Sequence, residues 1–450
     1  GDIGGSTAGS YNPRATEIFQ EGIRIPPTKL VRGGRMNEEV FRLILLNTRN
    51  PEMLESDLLA QMGSNRIAVR HIAEMVETYS ASALQKAVAE SLAQTEILTR
   101  KAIAAIPDGS YEAQGFVDDD GFQEEPVKIA VTVRISGDRL LVDFSGTDNQ
   151  VVGFINTSVV TASSAAGIAV LWFLGSEIPR NGGAFRCVEV NLPEGSLVNP
   201  HEPAPMTFCT LSPASEIIGT IFAALNQAVP DRVCAGYSSY NGPNYYGVDP
   251  RNNRYYVGFS FCSLGSGGAM KGYDGKSYMS PLSNFGGVKT PDIESNEVQY
   301  PLITLYHEME MDTAGAGEYR GGAGMRYGFT LYDDSSHLVN FGNGLKFAPY
   351  GLSGGREGSL NSGSFVHDGV ASVLGGKEAP RKVAKGDQVL LHSSGGGGWG
   401  DPQQRPPEKV YEDVLDGIIS KEKALADYAV VITENGVDLA ATIRKRGETR

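Results

Sequence analysis

The spacing of apolar residues changes along the chain, and each change marks a different kind of element. Between residues 37 and 110 apolar side chains recur every three or four positions, which predicts amphipathic helices. Asn37 can cap a first helix, Pro51 suits the first turn of the next, and Ser80 or Ser82 can cap the one after it. We therefore expect a helical hairpin or a small bundle here.

The pattern then switches to strict alternation. Residues 127–135 alternate apolar and other side chains, a Gly-Asp pair follows at 137–138, and a second apolar run covers 140–144, which together predict a β-hairpin. Further on, the apolar runs at 159–174 and 213–228 suit buried helices. Strand patterns separated by glycine-rich loops fill the rest of the chain to about residue 395.

These elements predict an α+β fold: a helical segment, then mixed, sheet-rich domains, then a short C-terminal helical tail. The predicted divisions are a loop segment close to the active site at 1–36, a helical region at 37–110, a mixed sheet-rich core domain at 111–330, a β-rich glycine-loop domain at 331–405 and a helical tail at 406–450.

Composition and charge narrow the classes of function. The 450 residues carry a formal charge of −14, which argues against a nucleic-acid partner. The apolar stretches are too short to cross a bilayer and no secretion signal opens the chain, so we expect no membrane partner and a cytoplasmic location. The four cysteines form no C-x-x-C pair, and we expect them to be reduced and mostly buried.

Most short motifs in the sequence are weak signals. The glycine run at 395–398 lacks the Lys and Ser/Thr of a phosphate loop, which favours a tight, closely packed turn over an anion site. Residues 118–121 lack the ligand pattern of a calcium loop and are predicted to form a solvated acidic turn. The six histidines form no pair with metal-ligand spacing.

The opening segment is chemically richer. Asp2 lies in a glycine turn, and Glu17, Glu21 and Arg24 follow within one polar stretch. On a helix, Glu17 and Glu21 would share a face. These groups could form either the wall of an active site or a surface patch of salt bridges.

Segments spread over nearly the whole chain resemble the hydantoinase B/oxoprolinase family, and they occur in the family's order. The most distinctive are GDIGG at 1–5 and ATEIFQEGIRIPP at 15–27. The others lie at 143–147, 181–183, 192–200, 230–233, 315–317, 320–322, 395–402 and 428–431.

The resemblance implies a subunit of an ATP-dependent enzyme acting on a small molecule. Some members open hydantoins, N-methylhydantoin, 5-oxoproline or lactams, and others are acetone or acetophenone carboxylase subunits. In the hydrolases an A-type partner subunit holds ATP and Mg²⁺ and phosphorylates the substrate carbonyl oxygen. The B-type subunit is expected to complete ring opening at a divalent metal such as Zn, Mn or Fe, which can supply hydroxide near neutral pH.

The resemblance also assigns roles to residues. In the family, a His-x-x-Asp segment and a His-His pair precede the position of residue 1, so Asp2 is expected in or beside the metal's ligand shell. The chain is accordingly expected to be the C-terminal part of a B-type subunit, with the main metal ligands on an N-terminal segment outside this sequence. The candidate catalytic residues, Glu17, Glu21 and Arg24, come instead from the polar opening segment described above.

The substrate is less constrained. Many of the hydrolases carry an Arg in the stretch that corresponds to residues 209–217, and this sequence does not. The aromatic and polar loop at 236–246 supplies Tyr240, Asn241 and Asn244 as candidate substrate-binding residues, although aromatic residues also stiffen loops. A cyclic-amide hydrolase, a ketone carboxylase and a non-catalytic scaffold subunit remain the three alternatives, in that order.

Overall fold

A computed structural model describes residues 2–279, 281–284 and 287–448 and confirms the α+β fold. The helices are α1 (Glu38–Leu45), α2 (Pro51–Tyr79), α3 (Ala81–Ala104), α4 (Val159–Leu174), α5 (Ala214–Leu225), α6 (Ile293–Gln299), α7 (Pro407–Leu415), α8 (Lys421–Tyr428) and α9 (Leu439–Glu448). Within this described part, no helix is both long and apolar enough to cross a bilayer.

The strands form several separate sheets. They are β1 (Val31–Arg32), β2 (Arg35–Met36), β3 (Gly109–Val117), β4 (Val127–Ser136), β5 (Arg139–Asp143), β6 (Val188–Asn191), β7 (Asn241–Asp249), β8 (Arg254–Phe259), β9 (Leu302–Met309), β10 (Met325–Leu331), β11 (His337–Gly342), β12 (Ser362–His367), β13 (Val370–Val373), β14 (Arg381–Lys382), β15 (Gln388–His392), β16 (Ile432–Thr433) and β17 (Gly436–Val437).

Helices α2 and α3 form the predicted hairpin. Ser80 is the residue that caps α3, since its Oγ accepts a hydrogen bond from the backbone N–H of Ala83. Asn37 precedes α1 but makes no capping hydrogen bond with its side chain. No residue of α2 is buried, and α3 buries side chains only in its C-terminal half. The hairpin therefore gains little packing from the body of the protein and leaves apolar side chains exposed.

The first large sheet has the order β3-β4-β5-β6, antiparallel except for the parallel pair β5–β6. The alternation predicted for 127–135 holds, because every second residue of β4 from Val127 to Ile135 is buried. Helix α5 packs against β3 and β4, and α4 packs against α5. The main hydrophobic core lies between this sheet and these two helices.

Two further sheets are antiparallel, with orders β14-β11-β7-β8 and β13-β12-β15-β10-β9. They meet through aromatic side chains: the ring centroids of Tyr245 on β7 and Phe329 on β10 lie 5.6 Å apart. Both sheets contain strands from either side of the predicted division at residue 330. The first of these sheets contains β7, the strand that carries the predicted site residues Asn241 and Asn244.

The glycine run at 395–398 passes through a set of other glycine-rich segments. The N–H groups of Gly396, Gly397 and Gly398 donate to the carbonyl oxygens of Gly322, Gly236 and Arg356 at 2.8–3.0 Å. The N–H of the first glycine in the run donates to a serine hydroxyl. The packed-turn interpretation is therefore confirmed, because none of these four N–H groups is free to bind an anion.

Residues 395–398 and the glycine-rich segments around them are here called the glycine array. The close approach of their backbones explains why the array needs glycine. A Cβ on Gly396 would lie 1.9 Å from the carbonyl oxygen of Gly267, and one on Gly397 would lie 1.9 Å from that of Tyr350. Neither distance is physically accessible to a carbon atom. The segments pack backbone against backbone, with no room for a side chain between them.

Buried ion pairs attach the C-terminal helices to this array. The Asp413 carboxylate of α7 accepts from Arg320 Nε at 2.7 Å and from Arg405 Nε at 2.9 Å. Arg405 also donates two hydrogen bonds to Asp274, at 2.7 and 2.9 Å. The Arg405 side chain is only 2% exposed, so its charge depends on these two carboxylates.

Two smaller expectations have different outcomes. All four cysteines are buried and unpaired, as predicted. The expectation of a solvated acidic turn at 118–121 is wrong, because Asp118 and Asp120 are buried. The Asp118 carboxylate accepts hydrogen bonds from the backbone N–H groups of Leu345 and Lys346. A long-range contact that is invisible in the local sequence thus replaces solvent.

Candidate active site

The opening glycine turn is attached to the junction between α1 and α2. The carboxylate of Asp2, which is 3% exposed, accepts hydrogen bonds from the backbone N–H of Gly4 at 2.9 Å and from Arg49 at 3.2 and 3.3 Å. Gly4 has a φ of +88°, and a Cβ there would lie 2.5 Å from a backbone oxygen. The turn therefore needs glycine, and it holds Asp2 in one place.

Asp2 lies at the wall of a cavity of about 480 Å³. Apolar and aromatic side chains form much of the wall, and amide side chains form most of its polar part. The lining residues used below are Asp2, Tyr11, Thr210, Leu211, Asn244, Phe259 and Phe261. The cavity thus brings together one predicted metal-proximal residue, Asp2, and one predicted substrate-binding residue, Asn244.

Asn244 lines this cavity and has a buried amide oxygen without a hydrogen-bond partner in the described part of the chain. The residue is 1% exposed, and its Oδ1 has no hydrogen-bond partner among the described residues. An unpaired buried amide oxygen costs about 1–3 kcal/mol, so a ligand that donates an N–H or O–H to it would recover that energy. Gly9 allows the opening segment to approach, since a Cβ there would lie 2.6 Å from Asn244 Nδ2.

Tyr240 and Asn241 lie behind the cavity wall rather than on it. The Tyr240 hydroxyl donates to the carbonyl oxygen of Ser260 at 2.7 Å, and its ring stacks on Phe259 with centroids 5.4 Å apart. Burial raises the pKa of Tyr240 well above its usual range. Asn241 Oδ1 accepts from Asn340 Nδ2 at 3.2 Å. Both residues support β7 and Phe259, which do reach the cavity.

Glu21 holds a neighbouring segment of backbone. Its carboxylate is 7% exposed and accepts from the N–H groups of Met206, at 2.8 and 3.0 Å, and Thr207, at 2.8 Å. Burial raises the pKa of Glu21 and outweighs the opposing effect of these hydrogen bonds. The segment that it holds leads directly to Thr210 and Leu211 in the cavity wall.

Glu17 and Arg24 do not converge with Glu21. The segment folds as a single 3-10 turn, Ile18–Gln20, so no α-helical face unites the two glutamates. Arg24 is exposed, pairs with Glu202 at 2.7 Å and lies 5.2 Å from the centroid of the Phe19 ring. The three candidate catalytic residues therefore do not form one cluster, and their roles stay predictions.

The described residues do not form a metal site by themselves. Among them, no three His, Cys, Asp or Glu side chains come together as ligands. The carboxylate of Asp2 is already engaged by Arg49 and by the N–H of Gly4. These groups do not fit a bound divalent cation without further ligands.

Sequence reasoning missed several residues in and near this region. Asn296 and Tyr300 line the cavity with Asp2, although they lie more than 50 residues from any predicted site residue. Glu216 was missed as well, and here the sequence held a signal: it is an acidic residue inside the apolar helix α5, between Ser215 and Ile217. A charge inside an apolar run is a candidate for a functional group.

Comparison with known sequences identifies relatives that match nearly the whole chain. The sequence model of the family described as hydantoinase B/oxoprolinase matches residues 1–402. The beta subunit of caprolactamase from Pseudomonas jessenii is 35% identical over 449 residues, which cover 98% of this chain and 77% of that protein. The B subunit of a putative D-/L-hydantoinase from Pseudomonas sp. (strain NS671) is 32% identical, over 96% of this chain and 74% of that one.

Solved structures show the same fold. The ATP-dependent caprolactamase from Pseudomonas jessenii superposes with a TM-score of 0.90 at 33% identity, covering 99% of this chain and 78% of that chain. Nucleotide-free acetone carboxylase gives a TM-score of 0.89 at 20% identity, covering all of this chain and 66% of the other. At that identity, the second comparison speaks for the fold alone.

Proposed function

The chain belongs to the hydantoinase B/oxoprolinase family, and from this membership we propose that it serves as the B-type subunit of an ATP-dependent hydrolase of cyclic amides. The observation that carries the proposal is the similarity to the caprolactamase beta subunit, 35% identical along 98% of this chain. The acetophenone carboxylase delta subunit of Aromatoleum aromaticum is 24% identical, so a ketone carboxylase is the second candidate.

The chemistry of ring opening explains why ATP would be needed. An amide carbonyl is a poor electrophile because its nitrogen donates electron density to it. Phosphorylation of the carbonyl oxygen, which we assign to an A-type partner holding ATP and Mg²⁺, makes the carbon more electrophilic and the oxygen a good leaving group. The B-type chain then has to hold the activated ring and control access of water to it.

The cavity at Asp2 and Asn244 is suited to such a ring. Its volume of about 480 Å³ lies within the usual range for small-molecule sites, about 300–1,000 Å³. Tyr11, Phe259 and Phe261 offer apolar surface to the ring carbons. The unpaired Asn244 Oδ1 can accept a hydrogen bond from the ring N–H. In this proposal, Glu21 positions the segment that carries Thr210 into the same wall.

The proposal includes a divalent metal that the described residues alone do not hold. A divalent ion such as Zn, Mn or Fe would make water a better nucleophile near neutral pH. Because the described residues do not complete a ligand set, we propose that further ligands come from a B-type N-terminal segment outside this sequence, with Asp2 beside them. Metal analysis of an assembly that contains both parts tests this, and an assembly that is active without bound metal would contradict it.

The exposed apolar side chains of the helical hairpin support the presence of a partner chain. Leu59, Ile67 and Val69 are all about half exposed or more, on a helix without buried residues. Exposed apolar side chains in this number are typical of interaction surfaces. We propose that the hairpin contacts another chain of the assembly.

The test is a reconstituted assay with separately purified subunits. The proposal predicts ring opening of a lactam, a hydantoin or 5-oxoproline only when ATP, this chain and its A-type partner are all present. Bicarbonate-dependent ATP consumption with acetone or acetophenone, and none with cyclic amides, would instead establish the carboxylase. Ring opening that persists without the A-type partner would contradict the proposal.

A matched pair of variants tests the cavity itself. Asn244→Ala removes the unpaired acceptor, and we expect the KM for the cyclic amide to rise about two- to tenfold, since a hydrogen bond is worth about 0.5–1.5 kcal/mol. Asn252→Ala changes an exposed asparagine in the turn after the same strand and should leave KM unchanged. Equal KM values for both variants would favour a scaffold role for this chain.

A further inference from the structure

A second cavity lies on the far side of the segment that leads into α5. Its volume is about 220 Å³. Ser215 and Glu216 line it, whereas Thr210 and Leu211, a few residues earlier, line the cavity at Asp2. The two cavities share no lining residue among those described. The second cavity is therefore a separate space, and the ring-opening proposal does not use it.

Glu216 provides the polar group of this second cavity. Its Oε1 accepts hydrogen bonds from the Ser239 hydroxyl at 2.8 Å and from Asn343 Nδ2 at 2.7 Å. Its Oε2 is buried and has no hydrogen-bond partner among the described residues. Ser212 also faces the carboxylate, but its Oγ makes no hydrogen bond within the described part of the chain. The carboxylate is thus surrounded by neutral hydroxyl and amide groups, Ser239, Asn343 and Ser212, and none of these carries a positive charge.

The Glu216 carboxylate has no basic neighbour in the described wall of the cavity. None of the described residues that line the cavity is Lys or Arg. Burial raises the pKa of the Glu216 carboxyl, and the hydrogen bonds from Asn343 and Ser239 only partly oppose this. A buried carboxylate without a cation is costly, and a ligand that supplies positive charge would reduce that cost.

Much of the rest of the wall is apolar. Phe116, Phe347, Pro349 and Tyr350 contribute most of it. The Tyr350 hydroxyl is already engaged, since it donates to the carbonyl oxygen of Gly219 at 2.6 Å. A ligand therefore meets mostly hydrocarbon, together with the Glu216 carboxylate and neutral polar side chains such as Gln114 and Ser215.

We propose that this cavity binds a small primary ammonium ion on a short apolar chain, with the ammonium group next to the Glu216 carboxylate. An ammonium supplies the missing positive charge, whereas a neutral alcohol supplies none and a carboxylate would be repelled. An apolar cavity of about 150 Å³ accommodates benzene, so about 220 Å³ suits a butyl or pentyl chain. The proposal requires neither ATP nor a partner chain, and it stands apart from the proposed ring-opening reaction.

The test is calorimetric titration of the purified chain with three probes of similar size: n-butylammonium, n-butanol and butyrate. We expect saturable binding of n-butylammonium, at least tenfold weaker binding of n-butanol, and none of butyrate. Equal affinity for n-butylammonium and n-butanol, or no saturable binding of n-butylammonium to the folded chain, would overturn the proposal.

Two variants locate the binding. Glu216→Gln can still accept from Ser239 and Asn343 with its amide oxygen, but it turns an NH₂ donor towards the ammonium, so affinity should fall at least tenfold. Glu177→Gln, an exposed control, should leave affinity unchanged. Ala223→Leu fills part of the cavity without altering the carboxylate and should also abolish binding. Wild-type affinity in the folded Ala223→Leu variant would overturn the location, even if Glu216→Gln fails to fold.

Discussion

Replacement of Glu21 distinguishes a residue that positions backbone from one that transfers protons. Glu21→Ala removes the acceptor of two N–H groups, those of Met206 and Thr207, in a segment next to the cavity. Each buried donor left unpaired costs about 1–3 kcal/mol. Because some water can enter and a buried charge is lost as well, we expect the variant to lose about 2–4 kcal/mol of stability.

Glu21→Gln should behave quite differently. The oxygen of Glu21 that accepts from both N–H groups, at 2.8 Å each, can be kept as the amide oxygen. Only the 3.0 Å contact of the other oxygen is lost. The variant should stay within about 1 kcal/mol of the wild-type stability and keep its kcat.

The pH dependence has a definite sign. Burial raises the pKa of Glu21 in the folded protein above its ordinary 4.5, so the folded state binds the proton more tightly than the unfolded state does. The unfolding free energy contributed by this group is therefore largest below pH 4.5 and falls as the pH rises through the folded pKa. Glu21→Gln removes this decline.

Urea unfolding, hydrogen exchange of the peptide around residues 203–212, and the kinetics of ATP-dependent ring opening together provide the assay. Glu177→Gln, on an exposed side chain, serves as the control. If Glu21 were a general acid or base, Glu21→Gln would lose about 10²–10⁴ in kcat with unchanged exchange at 203–212. That result would refute the positioning role.

Three further predictions concern other parts of the chain. Asp413→Ala leaves Arg405 and Arg320 each short of one carboxylate. The substitution should lower the free energy of unfolding by about 3 kcal/mol and speed amide exchange in α7 by about 160-fold, whereas the exposed Asp416→Asn should do neither. Gly396→Ala places a Cβ on a carbonyl oxygen and should prevent folding into a soluble chain, whereas Gly63→Ala, in open space on α2, should raise stability by about 0.5–1 kcal/mol. Glu216→Gln should flatten the decrease of unfolding free energy with rising pH, since burial raises the pKa of this carboxyl; an unchanged slope in urea titrations at several pH values would contradict the assignment.

Local signals predicted the elements that depend on local physics. Pro51 and Ser80 mark helix starts because they suit backbone positions that lack intrahelical partners. Strand β4 was predicted because its alternation matches the pleat of a half-buried sheet. The order of strands in the two large antiparallel sheets was not predicted, since pairs such as β7–β11 join residues nearly 100 positions apart.

The same reasoning explains the mixed outcome at the cavity. Asp2 was predicted from the family resemblance and Asn244 from the polar and aromatic character of its loop, and both line one cavity. Arg24 was placed with Glu21 on sequence proximity alone, and its charge is instead paired with Glu202. Glu216 was missed because its partners, Ser239 and Asn343, come from distant segments.

The glycine array also limits how its gene can vary. At Gly396 and Gly397, every other amino acid would carry a Cβ into a carbonyl oxygen 1.9 Å away. Any change in the first or second base of a glycine codon alters the residue, whereas changes in the third base are silent. Selection on this stretch should therefore leave the third bases free to drift while it removes almost every protein-altering change.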